Sequence, residues 1–209
     1  MSGRSLRVEA LNLPNAITMA RMAMIPAILW FTYYESRRAS FIAAILFAII
    51  GATDFLDGWV ARRRGLVTVI GKFLDPLADK LIVISTLVML VHLGRVAAWV
   101  VIVIMAREFI VTGLRTIAMS EGIVIAAGQE GKYKTSLQIA GISFLLLHYR
   151  YPTDMIVWQG DVDANVVGSW LLYLSVAFSV WSMALYVRDF LRAVYRKDPA
   201  EAPGPTRGG

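Results

Sequence analysis

The chain lacks cysteine altogether and is poor in histidine and in charge. None of its 209 residues is a cysteine, which excludes disulfides, cysteine-ligated zinc sites and thiol nucleophiles. The two histidines, His92 and His148, stand at the ends of apolar runs. An interfacial polar role is favoured there over a metal-binding pair. Charged residues make up 17% of the chain and hydrophobic residues 57%, a more apolar balance than that of a soluble domain.

Six apolar runs predict helices that cross a membrane. They cover about residues 17–34, 41–61, 73–93, 96–119, 135–149 and 166–191. A span needs about 20 apolar residues, and in hydrocarbon the backbone must satisfy its own hydrogen bonds, so the runs are expected to be helical. The predicted fold class is an all-α integral membrane protein with six transmembrane helices.

The two ends of the chain differ from this apolar part. Residues 4–11 alternate basic and apolar side chains, which predicts a short amphipathic juxtamembrane helix. Residues 198–209 are rich in proline and glycine and predict a disordered tail. With no internal repeat visible, residues 1–197 are expected to form a single membrane domain.

The positions of lysine and arginine predict the orientation. With six spans, both termini share one side with the second–third and fourth–fifth connections, and the basic residues concentrate there. This bias predicts that both termini are cytoplasmic. It also explains the net charge of +6 without a nucleic-acid partner. Seven aromatic residues fall at the opposite ends of the spans, as an aromatic belt would: Tyr33, Tyr34, Trp99, Tyr149, Tyr151, Trp158 and Trp170.

Four carboxylates interrupt the apolar pattern near one predicted cytoplasmic connection. Asp54 and Asp57 are three residues apart on the second helix, and Asp75 and Asp79 are four apart on the third. Each pair therefore shares a helix face, and an antiparallel return brings the two pairs together. Four unpaired carboxylates in a membrane would cost on the order of 10 kcal/mol.

Divalent metal ions are the natural counter-ions for this cluster. Magnesium suits carboxylates together with substrate phosphates, and two such ions can clamp an in-line phosphoryl displacement. The alternative is a set of salt bridges at a solvated helix–loop–helix, with Arg62 and Lys80 as partners. Small residues beside the acids leave room for a ligand or for close helix packing. Pro76 predicts that the third helix begins just before it.

The pattern from Asp54 to Asp79 resembles the signature of the CDP-alcohol phosphotransferase family. In this sequence it reads Asp54-x2-Asp57-Gly58-x2-Ala61-Arg62-x8-Gly71-x3-Asp75-x3-Asp79. The resemblance implies a six-helix bacterial inner-membrane enzyme, usually dimeric, whose active site faces the cytoplasm. It implies two divalent ions, Mg²⁺ first and Mn²⁺ as the alternative. The implied reaction transfers a phosphatidyl group from CDP-diacylglycerol to an alcohol and releases CMP.

The same resemblance implies roles for individual residues. The metal ligands would be Asp54, Asp57, Asp75 and Asp79, and Asp79 would also act as the base on the acceptor hydroxyl. The nucleotide would be framed by Asp57, Gly58, Ala61, Arg62 and Gly71, with Asn15 and Thr18 on the first helix. A helix cap at Asn15 is the ordinary alternative for that segment.

Basic residues elsewhere suggest an anionic acceptor. Arg107 and Arg115 lie on nearly the same side of the fourth helix, and Lys132 and Lys134 stand at the start of the fifth. Arginine binds phosphate bidentately and lysine adds a point charge. Pairing of Arg107 with a nearby acid, and ordinary positive-inside flanking by the lysines, are the alternatives. With "NLPNAIT", these segments resemble the branch of the family that takes sn-glycerol 3-phosphate.

Other readings of the sequence remain open. Within the family, the acceptor could instead be inositol phosphate, serine or phosphatidylglycerol. A membrane prenyltransferase also binds a magnesium–pyrophosphate, although with a different acid spacing. A divalent-cation transporter is a third possibility, but its acids would be expected near mid-membrane on several helices.

Overall fold

The computed structural model describes residues 13–64, 69–123, 130–155 and 158–197. For some of these only the backbone is described, namely residues 13–15, 54–64, 69–73, 75–76, 130–133, 152–155, 158–160 and 196–197. The predicted juxtamembrane helix at 4–11 and the predicted tail at 198–209 lie outside the described residues.

Within these ranges the chain forms six long helices and one β-hairpin. The helices are α1 (Leu13–Tyr33), α2 (Arg37–Arg64), α3 (Val69–His92), α4 (Ala98–Ser120), α5 (Glu130–Leu147) and α6 (Ala164–Lys197). Strands β1 (Arg150–Met155) and β2 (Trp158–Asp163) pair antiparallel between α5 and α6, with Arg150 opposite Asp163. The six predicted helices are thus present, whereas the hairpin was not predicted.

Two of these helices are long and apolar enough to cross a membrane. They are α1 over residues 16–33 and α6 over residues 164–195, and a shorter apolar helix covers 134–147 in α5. By contrast, α4 carries Arg107, Glu108 and Arg115 within its apolar run. Six spans and cytoplasmic termini therefore stay predictions.

All six helices contribute to one hydrophobic core. Fully buried side chains include Ile28 of α1, Leu87 of α3, Val100 of α4, Ile142 of α5 and Leu172 of α6, and Phe47 of α2 joins them. The outward faces carry large exposed apolar side chains such as Trp30, Ile102 and Trp181. An apolar surface of this kind is typical of proteins that contact lipid or a partner.

The contact between α5 and α6 depends on two glycines. A Cβ atom built on Gly168 would lie 2.7 Å from the backbone nitrogen of Leu145 and 2.8 Å from the carbonyl oxygen of Gly141. A Cβ on Gly141 would lie 3.0 Å from the backbone nitrogen of Leu172. Small residues let helix backbones approach closely, which is a common means of packing membrane helices.

Replacement of Gly168 by alanine should therefore destabilise the fold. The new methyl group meets backbone atoms that cannot rotate away, so α5 and α6 must separate, at a cost of about 1–3 kcal/mol. Thermal unfolding in detergent should show a lower midpoint. Gly113→Ala on α4 is the matched control, because no described atom lies within 4 Å of its added Cβ. Equal melting temperatures for the two variants would contradict this account of the helix contact.

Polar contacts stabilise the end of the bundle that carries the hairpin. The Arg95 guanidinium, only 4% exposed, donates through one nitrogen to the carbonyl oxygens of Leu145 and Leu146, at 3.4 Å each. It thereby satisfies carbonyls at the end of α5 that have no partner within the helix. Asp163 caps α6 by accepting from the backbone N–H groups of Asn165 and Val166.

Two sequence expectations about α2 and α3 were inexact. The apolar runs predicted that the second helix ends near residue 61 and the third begins near residue 73, but helix continues to Arg64 and resumes at Val69. Pro76 was expected in the first turn of its helix and is instead the eighth residue of α3. An interior proline lacks the N–H that would bond to the carbonyl of Lys72. Membrane proteins tolerate such breaks where neighbouring groups satisfy the carbonyl.

Candidate active site

The helix segments that carry the predicted site residues lie at the end of the bundle opposite the hairpin. The start of α1, the end of α2, the start of α3, the second half of α4 and the start of α5 all lie there. Thr18 and Arg21 of α1 are buried, with 3% and 5% of their surfaces exposed. Arg107 of α4 and Lys134 of α5 are each 7% exposed. Buried cations in these numbers require anions close by.

A polar cavity of about 80 Å³ opens between α3, α4 and α5. Its polar lining residues are Asp79, Lys80, Glu108, Lys134, Thr135 and Gln138. Its apolar wall includes Val83, Ile104 and Ile139. A buried water needs about 10–15 Å³, so this polar cavity has room for several waters or for a small anionic group.

Glu108 lies at the centre of the charges around the polar cavity. Its Oε2 accepts from the Arg107 guanidinium at 2.5 Å and from the Lys134 ammonium at 3.0 Å. The side chains of the two cations are only 8% and 9% exposed, whereas that of Glu108 is 35% exposed. Arg107 therefore pairs with the acid that follows it in the sequence. The pairing leaves one net positive charge on the cluster.

A further cation lies on the α3 side of the polar cavity. The Lys80 ammonium donates to the hydroxyl of Thr112 at 2.9 Å, which joins α3 to α4. Gln138 of α5 is buried to 8% exposure and lines the same cavity. Lys80 and Lys134 therefore line the same space as the carboxylates of Asp79 and Glu108, and Arg107 adjoins this space through its ion pair with Glu108.

Asp79 also borders a second, much smaller cavity. This space of about 10 Å³ is lined by Arg21, Gly51, Asp79 and apolar side chains of α2, α3 and α5. Its size matches about one water molecule. Asp79 thus lies between the α1–α2 side of the site and the cation cluster of α4 and α5. A group in this position can reach ligands on both sides.

The side chains of several predicted site residues are outside the described part of the structure. They are Asn15 in α1; Asp54, Asp57, Gly58, Ala61 and Arg62 in α2; Gly71 and Asp75 in α3; and Lys132 in α5. The helical backbone at 54, 57, 75 and 79 places each acid pair within one helix. The convergence of the two pairs stays a prediction.

The donor chemistry of the site fits a hard divalent cation. Among the described side chains no group of three histidine or acidic residues lies close enough to hold a metal, since only Asp79 of the four aspartates is described there. Asp79 is exposed to the cavity, and carboxylate oxygen is the ligand that Mg²⁺ prefers. A metal there would need the other aspartates.

The structure separates Arg115 from two of the basic residues with which the sequence prediction grouped it. Arg107 and Lys134 share Glu108 as a partner, whereas Arg115 is exposed. Sequence reasoning did not select Glu108 or Gln138 and treated Lys80 only as a counter-ion. A glutamate beside an arginine inside an apolar helix was the available signal for Glu108, because both are costly there unless paired.

Comparison with known proteins gives consistent matches. A family model for CDP-alcohol phosphatidyltransferase matches residues 11–181. A Bacillus subtilis protein named CDP-diacylglycerol–glycerol-3-phosphate 3-phosphatidyltransferase is 44% identical over 178 residues, covering 76% of this chain and 92% of that protein. A Haemophilus influenzae protein of the same name is 32% identical and covers 85% and 92%. A rice protein named cardiolipin synthase (CMP-forming) is 32% identical and covers 90% and 60%.

The matched region contains α1 to α5, the hairpin and the first half of α6, and so includes every predicted site residue. The aspartate pattern, the polar cavity beside Asp79 and these relatives agree with one another. The chain belongs to the CDP-alcohol phosphatidyltransferase family.

Proposed function

We propose that the protein transfers a phosphatidyl group from CDP-diacylglycerol to sn-glycerol 3-phosphate, giving phosphatidylglycerophosphate and CMP. The observation that carries this proposal is the polar cavity, whose lining combines the carboxylate of Asp79 with Lys80, Lys134 and Glu108, while Arg107 adjoins it through its ion pair with Glu108. An acceptor with both a hydroxyl and a phosphate matches that pairing of groups. The Bacillus subtilis and Haemophilus influenzae relatives carry the name of this activity.

The proposed role of Asp79 is to take the proton from the acceptor hydroxyl. A general base must lie within hydrogen-bond reach of that proton, and Asp79 is exposed to the cavity in which the acceptor would bind. Asp54, Asp57, Asp75 and Asp79 would hold two Mg²⁺ ions, with Mn²⁺ as the alternative. The ions would neutralise charge on the pyrophosphate and on the leaving CMP.

The proposed acceptor-phosphate site is formed by Arg107, Arg115, Lys132 and Lys134. Arg107 and Lys134 already bind one anionic oxygen together. Asn15, Thr18, Gly58, Ala61, Arg62 and Gly71 would frame the nucleotide. Phosphatidylglycerol as acceptor is the second candidate, because the rice relative is named cardiolipin synthase.

The proposed setting is a bacterial cytoplasmic membrane, with six spans, cytoplasmic termini and a homodimeric state. The two apolar helices and the membership in a lipid-biosynthesis family point to a membrane protein. The exposed apolar side chains on the bundle support contact with acyl chains or with a second copy. The polar cavity would then open toward the inner surface, where both water-soluble acceptor and lipid donor are available.

Mass spectrometry of the product lipid tests the proposal. Purified protein, CDP-diacylglycerol and Mg²⁺ are incubated separately with sn-glycerol 3-phosphate, inositol phosphate, serine and phosphatidylglycerol. We expect phosphatidylglycerophosphate and an equal amount of CMP from the first acceptor only. Cardiolipin from phosphatidylglycerol would favour the second candidate. Product from serine or inositol phosphate, with none from sn-glycerol 3-phosphate, would refute the assignment.

A further inference from the structure

The carboxylate of Glu108 occupies the position where two buried cations meet. Its Oε2 lies 2.5 Å from a guanidinium nitrogen of Arg107 and 3.0 Å from the ammonium nitrogen of Lys134. One oxygen atom thus accepts from both cations. A phosphate oxygen held by an arginine and a lysine would make the same pair of contacts.

The two cations are not fully satisfied by this single carboxylate. The Nε of Arg107 is buried and has no hydrogen-bond partner among the described residues. In the described ion pairs, two positive charges also share one negative charge. A buried donor without an acceptor is costly, so the cluster is suited to an anion that carries more charge and more oxygen atoms than a carboxylate.

Glu108 differs from its partners in exposure. Its side chain is 35% exposed and lines the polar cavity, whereas Arg107 and Lys134 are nearly covered. Glu108 is therefore the member of the cluster that can turn away from the cations and remain solvated. The cations have no comparable alternative, because their side chains are only 8% and 9% exposed.

We propose that the Glu108 carboxylate occupies the acceptor-phosphate site as a counter-ion and is displaced by the phosphate when the acceptor binds. This inference rests on the proposed function, since it assigns Arg107 and Lys134 to the acceptor phosphate. Glu108 acts as a specificity-determining residue. Only an acceptor with a dianionic group compensates both cations better than Glu108 does, so neutral alcohols are disfavoured. The same competition weakens acceptor binding.

A purely structural role for Glu108 makes the opposite prediction. If the carboxylate serves only to fix the positions of Arg107 and Lys134, its loss misplaces both cations and weakens phosphate binding. If it competes with phosphate, its loss strengthens phosphate binding. The sign of the change in KM therefore distinguishes the two roles.

The test is Glu108→Gln, which keeps the size of the side chain and an acceptor oxygen but removes the charge. The KM for sn-glycerol 3-phosphate should fall roughly tenfold, because a like charge several ångströms from a bound phosphate is removed. The KM for CDP-diacylglycerol should stay unchanged. Inorganic phosphate should become a stronger competitive inhibitor against the acceptor, by a similar factor. A rise in the acceptor KM would overturn the proposal.

Glu35→Gln is the matched control. Glu35 also lies beside a buried arginine, with 3.9 Å between its Oε2 and a guanidinium nitrogen of Arg95, but at the hairpin end of the bundle. This variant loses the same charge at the other end of the bundle, so it should leave the acceptor KM and phosphate inhibition unchanged. Equal changes in the two variants would show a general charge effect and would also overturn the proposal.

A second variant and a second measurement cover the remaining outcomes. Glu108→Asp shortens the side chain, so that it reaches the two cations less well, and should lower the acceptor KM by a smaller factor. If neither variant folds, the glutamate side chain is a structural requirement and the proposal is wrong. If the unmodified protein releases no CMP with sn-glycerol 3-phosphate, the proposed function fails. Inorganic phosphate should nevertheless raise the melting temperature more for Glu108→Gln than for the unmodified protein.

Discussion

Replacement of Asp79 by asparagine should abolish turnover while binding of CDP-diacylglycerol stays largely intact. Asparagine keeps the shape of the side chain but cannot accept the proton of the acceptor hydroxyl. General-base catalysis typically contributes about 10²–10⁴-fold to a rate, so kcat should fall at least that far. Release of CMP measures turnover, and binding of labelled CDP-diacylglycerol to the purified variant measures the donor site.

The proposed double role of Asp79, as base and as metal ligand, requires a further measurement. If activity returns at high Mg²⁺ concentration, the substitution weakened metal binding and did not remove a general base. Asp189→Asn is the matched control, because Asp189 is an exposed aspartate of α6 paired with Arg188. Normal turnover of Asp79→Asn would refute the base assignment, and loss of donor binding would make Asp79 a donor-site residue.

The sequence predicted the helices better than it predicted their ends. The apolar run of the second helix stops near residue 61, yet α2 continues to Arg64, and α3 begins at Val69, before its apolar run. Hydrophobicity marks the part of a helix that is buried or in lipid. At the end of α2, helix propensity carries the backbone further through three arginines, which are good helix formers.

The hairpin could not be predicted from local pattern. One of its strands contains Pro152. The segment has no Asn-Gly or Asp-Gly turn and no regular alternation of apolar and polar residues, which are the usual signals of a hairpin. An isolated two-stranded hairpin is marginal in water. Contacts distant in sequence hold this one: the Arg37 guanidinium donates to the carbonyl oxygen of Arg150 at 2.8 Å and lies 4.8 Å from the ring centroid of Tyr151.

The sequence predicts a chemistry for the candidate site but not how its side chains pair. The types and spacing of the aspartates, and the separate basic segments on α4 and α5, indicate a metal-assisted phosphoryl transfer to an anionic acceptor. Nothing in the sequence shows that Lys134 meets a glutamate 26 residues earlier, because that contact depends on how α4 and α5 pack. The role of Glu108 therefore emerges only from three-dimensional structure.

Replacement of Arg107 by alanine should raise the KM for sn-glycerol 3-phosphate far more than that for CDP-diacylglycerol. A hydrogen bond to a charged group contributes about 1.5–3 kcal/mol, so the acceptor KM should rise roughly 50-fold. The donor KM should stay within about twofold, because the proposed donor residues lie on α1, α2 and α3. Initial rates of CMP release over a matrix of both substrate concentrations give the two values separately.

Two further variants separate the charge of Arg107 from its geometry and from general effects. Arg107→Lys keeps the charge but loses the planar fork that matches phosphate, so its acceptor KM should lie between those of the unmodified protein and the alanine variant. Arg188→Ala removes an exposed arginine paired with Asp189 and should change neither KM. Equal increases in both KM values for Arg107→Ala would show that this arginine supports the whole site. In that case Lys134, whose ammonium shares the Glu108 oxygen, would become the leading candidate for binding the acceptor phosphate.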